Sequence, residues 1–260
     1  MNQPTNPSPT NEAGGLVGAT AIVTGASRGF GRGIAAAMTA AGAHVVGVAR
    51  SSTHLDEARA ELGGTFTAIT ADAADPATAS RLIDEYRPRT LVLCAGAAPR
   101  MAPIQEQTWE TFSRNWNVDV AQAFHWIRAA LQHPLAPGSS VIAMSSGAAI
   151  NGSPLSGGYA GAKATVRIIA GYAAVESERA GLGIDFVSVL PQLTPATELG
   201  AKAVAAYAER EGVDVEAFLK GRGPVLTPEQ VGKSVLELAT TRHPGQHAYL
   251  LSSAGLSPLT

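Results

Sequence analysis

One feature constrains this chain more than any other: short, continuously apolar runs alternate with longer stretches of helical pattern. The strand-like runs fall at 20–24 (TAIVT), 44–49 (HVVGVA), 65–70, 90–94 (TLVLC), 140–145 (SVIAMS) and 184–190 (IDFVSVL), with 246–251 as a seventh. Between them, 30–41, 54–62, 76–86, 106–131 and 157–179 read as helices. A strand apolar on both sides of its pleat must be covered on both faces. Helices supply that cover when they cross over between parallel neighbours. The expected fold is therefore a single doubly wound α/β domain, its mostly parallel seven-stranded sheet flanked by helices.

A last helix is announced by Thr227-Pro228-Glu229, where a capping hydroxyl precedes a first-turn proline and an early acid. No repeat or linker divides the chain, so the domain is expected to span 16–260. The first 15 residues (MNQPTNPSPTNEAGG), polar and rich in Pro, Asn and Thr, are expected to form a flexible tail. Residues 192–226 have no strand pattern and read as a variable segment, rich in Ala and Gly with scattered charges, that suits a substrate lid.

Composition narrows the partners. A net charge of −2 gives no basic footprint for nucleic acid or an anionic membrane. No apolar run approaches the roughly 20 residues that span a bilayer. The N-terminus lacks the basic start and apolar stretch of a secretory signal. With one cysteine, Cys94, no internal disulfide is possible, and a cytoplasmic location is expected. The six histidines show no metal-ligand spacing, so no metal is expected. The aromatic residues Trp109, Phe112, Trp116, Phe124 and Trp126 fall in one helical region and read as core or subunit contact.

Two motifs carry chemistry. Between the first strand and first helix lies Thr24-Gly25-Ala26-Ser27-Arg28-Gly29-Phe30-Gly31. Glycines let a pyrophosphate approach a helix start, where unpaired N–H groups and the dipole favour negative charge. Any tight strand-to-helix turn can use glycines, but this one stands where a Rossmann-type sheet holds a dinucleotide. Further on, Tyr159 and Lys163 are four residues apart and share a helix face. A free phenol titrates near about 10, and a neighbouring cation favours its charged form. Tyrosine and lysine at this spacing are common on solvated helices. What makes the pair informative is Ser146, thirteen residues upstream at the end of the fifth strand, together with the glycine turn.

With TGASRGFG at 24–31, Asp72, CAG at 94–96, Asn117-Val118, Ser146 and YAGAK at 159–163, the chain resembles the short-chain dehydrogenases/reductases from about 17 to 240. The resemblance implies an oxidoreductase that interconverts a carbonyl and an alcohol with a nicotinamide cofactor. Tyr159 would be the general acid or base, and Lys163 would lower its pKa and bind the nicotinamide ribose. Ser146 would polarise the substrate carbonyl, and Asn117 would hold a water linking Lys163 to solvent. Gly25, Ser27, Arg28, Gly29, Phe30 and Gly31 would cradle the phosphates and Asp72 would lie against the adenine. Ala95, Gly96, Pro191, Gln192 and Thr194 would complete the cofactor site. A homotetramer or homodimer is implied as well.

Relatives using NAD usually carry an acid at the end of the second strand. Here that position is Ala49, followed by Arg50, and Arg28 stands in the glycine turn. Two cations without an acid favour a 2′-phosphate, hence NADP(H). Cys94 replaces a common asparagine, and Gln192 replaces the glycine usual after Pro191. Two other functions are compatible with the fold. A silent NADP-binding regulator would keep the glycine turn but lose the reactive side chains, which are present here. An epimerase or dehydratase would need a larger substrate domain. The substrate itself, a small carbonyl or alcohol, would be selected by 97–105 and 192–226, and neither segment has a readable signature.

Overall fold

The computed structural model describes residues 15–242 and 244–259. The tail expected at 1–15 lies, except for Gly15, outside the described residues. In chain order the strands are β1 (Thr20–Thr24), β2 (His44–Ala49), β3 (Phe66–Thr70), β4 (Thr90–Leu93), β5 (Ser140–Met144), β6 (Asp185–Pro191), β7 (Ala248–Ser252) and β8 (Gly255–Pro258). The helices are α1 (Gly29–Ala40), α2 (Ser52–Leu62), α3 (Pro76–Tyr86), α4 (Trp109–Asn115), α5 (Ala121–Gln132), α6 (Ala148–Asn151), α7 (Gly157–Arg179), α8 (Glu198–Glu211), α9 (Val215–Leu219) and α10 (Pro228–Thr240).

The strand order is β3-β2-β1-β4-β5-β6-β7-β8, parallel throughout except for the β7–β8 pair. The connection reverses direction between β1 and β4, so their carboxyl ends diverge into a crevice. Consecutive residues face opposite layers. Val23 and Val45 pack with Ile34 and Met38 of α1 and Val231 and Val235 of α10. Their neighbours Ile22 and Val46 pack with Leu82 of α3, Trp126 of α5 and Val166 of α7. Both layers are dry, which is why the strands read as unbroken apolar runs.

Three details depart from expectation. Among the described residues the sheet has eight strands rather than seven: β8 returns antiparallel along β7. Its four residues are partly or fully exposed, so no apolar run announces it. The helix expected over 106–131 is broken. A short 3₁₀ turn (Ile104–Glu106) precedes α4, and a π-helical turn over Trp116–Val120 joins α4 to α5. The variable segment is largely helical: Thr197 caps α8 by accepting a bond from Gly200 N at 3.1 Å, and Gly212 ends it in the left-handed conformation.

Candidate active site

The glycine turn is set by what crosses beneath it. Thr24 Oγ1 accepts bonds from Cys94 N (2.9 Å) and Ala95 N (3.2 Å) and donates to Gln122 Oε1 (2.6 Å). Gln122 Nε2 donates to Ala95 O (2.8 Å), so β1, the end of β4 and α5 are tied together at this point. A Cβ at Gly25, whose φ is +70°, would lie 2.8 Å from Ala95 Cα; one at Gly31 would lie 2.2 Å from Gly25 O. The turn therefore requires these glycines for its own packing, whatever it binds. The stronger sign of a ligand is at the start of α1. Its first turn has no acidic residue, Arg28 at the N-cap makes no side-chain cap, and the helix opens onto a cavity of about 1350 Å³. Uncapped N–H groups facing a cavity form an anion site.

That cavity runs along the carboxyl ends of the strands. Gly25, Ser27, Arg28, Gly29, Phe30, Gly31, Arg50, Asp72, Ala95, Gly96, Pro191, Gln192 and Thr194 all line it, with Ser146, Tyr159 and Lys163. Not all of their polar groups are free. Arg28 forms an ion pair with Glu198 on α8. Asp72 Oδ1 accepts a bond from Ala74 N at 2.9 Å. Gln192 turns its amide to Pro224 O (3.3 Å), and Thr194 Oγ1 donates to Leu226 O (2.7 Å). Through these bonds the last two side chains hold the segment after β6 in place along the cavity wall. Arg50, exposed at the end of β2, has no ion-pair partner among the described residues.

The expected serine, tyrosine and lysine are brought together by the end of β5 and by α7. Ser145 and Ser146 are adjacent, yet their hydroxyls differ in duty. Ser145 is buried and donates to Lys163 O (2.8 Å), fastening α7 to the strand end. Ser146 is half-buried and hydrogen-bonded to Tyr159. Lys163 is buried, with Nζ donating to Met144 O (3.0 Å) and lying 5.7 Å from the Tyr159 ring centre. Burial pushes the Tyr159 phenol up from its ordinary value, while the Lys163 cation and the Ser146 bond pull it down. Burial by itself would lower the Lys163 ammonium, but Asp119 and Tyr159 reverse this and hold it above the usual lysine range. Cys94 lines the same cavity, and burial pushes its thiol up to about 11.

Asn117 does not reach this group. The π turn directs it to solvent, and the residue it presents to Lys163 is Asp119, two positions later. Asp119 is 1% exposed, with Oδ1 2.9 Å from Lys163 Nζ. The role expected of Asn117 therefore has no geometry to support it. A π turn changes which residues a helix presents to its neighbour, and motif spacing does not register that. Sequence reasoning also passed over Gln122 and the far wall of the cavity. There Tyr207 of α8 stacks on Phe218 (centroids 6.2 Å apart), Arg222 lies 3.9 Å above the Phe218 ring, and Tyr207 is hydrogen-bonded to Ser153. The aromatic cluster divides: Trp126 is buried and donates to Ala73 O (2.8 Å), whereas Trp109, Trp116 and Phe124 are exposed.

Known proteins resemble this chain in sequence and fold. A family model described as short chain dehydrogenase matches residues 19–208. The short chain dehydrogenase/reductase dpmpG of Macrophomina phaseolina is 35% identical over 156 residues, covering 55% of this chain and 89% of that protein. Hydroxynaphthalene reductase arp2 of Aspergillus fumigatus is 29% identical over 238 residues, covering 86% of this chain and 87% of its own. Among solved structures, 3-ketoacyl-(acyl-carrier-protein) reductase from Brucella melitensis, complexed with NADH, superposes with a TM-score of 0.72. It covers 86% of this chain and 91% of its own at 22% identity, a likeness of fold. With the family model spanning most of the chain, this protein belongs to the short-chain dehydrogenase family of oxidoreductases.

Proposed function

We propose that the protein is an NADP(H)-dependent oxidoreductase that reduces a ketone or aldehyde to an alcohol, or runs the reverse, with Tyr159 as general acid and base. The observation that carries this reading is the Ser146–Tyr159–Lys163 group in the same cavity as the uncapped start of α1. The glycine turn and α1 would hold the pyrophosphate, with Asp72, Ala95 and Gly96 on the adenosine side and Pro191, Gln192 and Thr194 at the other end. When bound, the nicotinamide supplies or accepts the hydride. The protein's part is positioning and proton transfer. Tyr159 gives its proton to the substrate oxygen during reduction and takes one back during oxidation. Ser146 donates to the same oxygen as charge develops there, and the Lys163 cation stabilises the phenolate left behind.

Two features support the phosphorylated cofactor. Ala49 puts no carboxylate at the end of β2, and Arg50 beside it is exposed and free of ion pairs among the described residues. Arg28 is less available because Glu198 already engages it. The segment 192–226, bearing α8 and α9, would serve as the substrate lid. Ties from it to the rest of the domain include the Arg28–Glu198 pair and the Tyr207–Ser153 bond. The exposed apolar side chains Trp116 and Phe124 near α5, with Ile168, Tyr172 and Val175 on α7, fit a second copy of the chain in a dimer or tetramer.

The test is a panel of ketones and aldehydes followed by loss of reduced-cofactor absorbance. The expected result is kcat/KM at least about tenfold higher with NADPH than with NADH, reflecting one charge-assisted contact. Tyr159→Phe should abolish turnover while still binding cofactor. A strong NADH preference would sink the cofactor assignment, and a fully active Tyr159→Phe would sink the mechanism.

A further inference from the structure

Asp119 is a buried carboxylate at a place where a reductase's chemistry gives it no obvious part. Its surroundings are specific. Oδ2 accepts bonds from Ala97 N (2.9 Å) and Asn115 Nδ2 (3.2 Å), while Oδ1 lies 2.9 Å from Lys163 Nζ. The Oδ1 contact has the distance of an ion pair but not the angle of a hydrogen bond. The carboxylate also fits a prepared gap, since a Cβ at Gly96 would come within 2.7 Å of Oδ1. Leaving a charge unpaired at such a site is costly, so the fold keeps the Asp119 and Lys163 side chains against each other.

We propose that Asp119 is a positioning residue that pins the Lys163 ammonium between its own carboxylate and Met144 O, and so sets the pH at which Tyr159 exchanges its proton. The inference rests on the reading of Tyr159 as the proton donor. Lysine acts on the phenol as a bare cation 5.7 Å from the ring centre. A carboxylate 2.9 Å from that cation cancels part of its field, leaving Tyr159 protonated to higher pH. The other groups facing the phenol are Ser146 from the end of β5, which is neutral, and Cys94 from the end of β4, a thiol whose ionisation burial suppresses. On α4, Glu110 and Arg114 are exposed. On α8, Glu198 and Lys202 pair with each other at another part of the cavity wall. Asp119 is thus the one anion set against Lys163 among the described residues near Tyr159.

The test reads the phenol directly. Ultraviolet titration of phenolate, with Tyr159→Phe as the blank for the other tyrosines, gives the midpoint of Tyr159 with no substrate present. Asp119→Asn keeps the shape and removes the charge, and Tyr159 should then titrate roughly one pH unit lower. An unchanged midpoint overturns the proposal. If the single variant does not fold because Lys163 is left unpaired, the double variant Asp119→Asn/Lys163→Met carries neither charge. Its phenol should rise by less than about one unit from wild type, because the two charges largely cancel. A rise of about two units, the effect of losing the cation alone at that distance, would show that Asp119 contributes nothing. Turnover of Tyr159→Phe judges the assignment of Tyr159 as proton donor separately, since the titration needs no activity.

Discussion

Ser145 and Ser146 are neighbours with the same side chain, and the structure predicts opposite consequences for removing each hydroxyl. Ser145 Oγ is buried and spends its proton on Lys163 O at 2.8 Å. Lys163 O lies inside α7 and keeps its helical partner, so Ser145→Ala forfeits one buried bond without stranding an acceptor. The cost is about 1 kcal/mol. In a domain of this size that lowers Tm by about 2–4 °C. Its effect on kcat/KM should stay within roughly threefold, less than the 1.4 kcal/mol that a tenfold change represents. Ser146 is half-buried, and the one bond its Oγ accepts from the backbone, Ala148 N at 3.2 Å, is a local turn contact. Ser146→Ala should therefore shift stability by no more than about 0.5 kcal/mol. On the proposed mechanism it also removes the hydroxyl that would donate to the substrate oxygen, which would cost about 10²–10³ in kcat. Urea unfolding and steady-state reduction of one good substrate, run on both variants, decide the matter. A hundredfold loss of activity in Ser145→Ala at unchanged stability, or wild-type activity in Ser146→Ala, would refute the assignment.

Trp126→Ala should destabilise by about 3–5 kcal/mol in a urea melt, because the indole is fully buried between α3, α5 and the sheet and its Nε1 donates to Ala73 O. Cys94, with its thiol at about 11 against an ordinary 9.0, has about a hundredfold less thiolate at neutral pH than an exposed cysteine. Its alkylation should accordingly be slow near neutrality and keep accelerating tenfold per pH unit until about pH 11, whereas a plateau near 9 would contradict the burial argument.

The alternation of apolar runs was enough, by itself, to specify a doubly wound sheet, because a strand dry on both faces leaves few alternatives. The glycine turn was legible for a similar reason: Gly25 and Gly31 are required by local crowding, and local crowding leaves a local pattern. The exposed edge strand β8 and the helices α8 and α9 were not legible. β8 has no fully buried position to mark it, and α8 is an alanine-rich helix whose pattern resembles a loop of scattered charges.

The site itself divides along the same line. Tyr159 and Lys163 share a helix face, a short-range fact that spacing four residues apart encodes directly. Which residue opposes Lys163 is a different kind of question. It depends on how α5 leans on α7 and on a π turn over Trp116–Val120 that moves Asn117 outward and Asp119 inward. No spacing rule reports such a rotation, because it is set by the packing of two helices far apart in the chain. The sequence alone thus determined the architecture, the glycine turn and the proximity of Tyr159 to Lys163. Tertiary packing decided that the buried carboxylate of Asp119, rather than the amide of Asn117, sits 2.9 Å from the Lys163 ammonium.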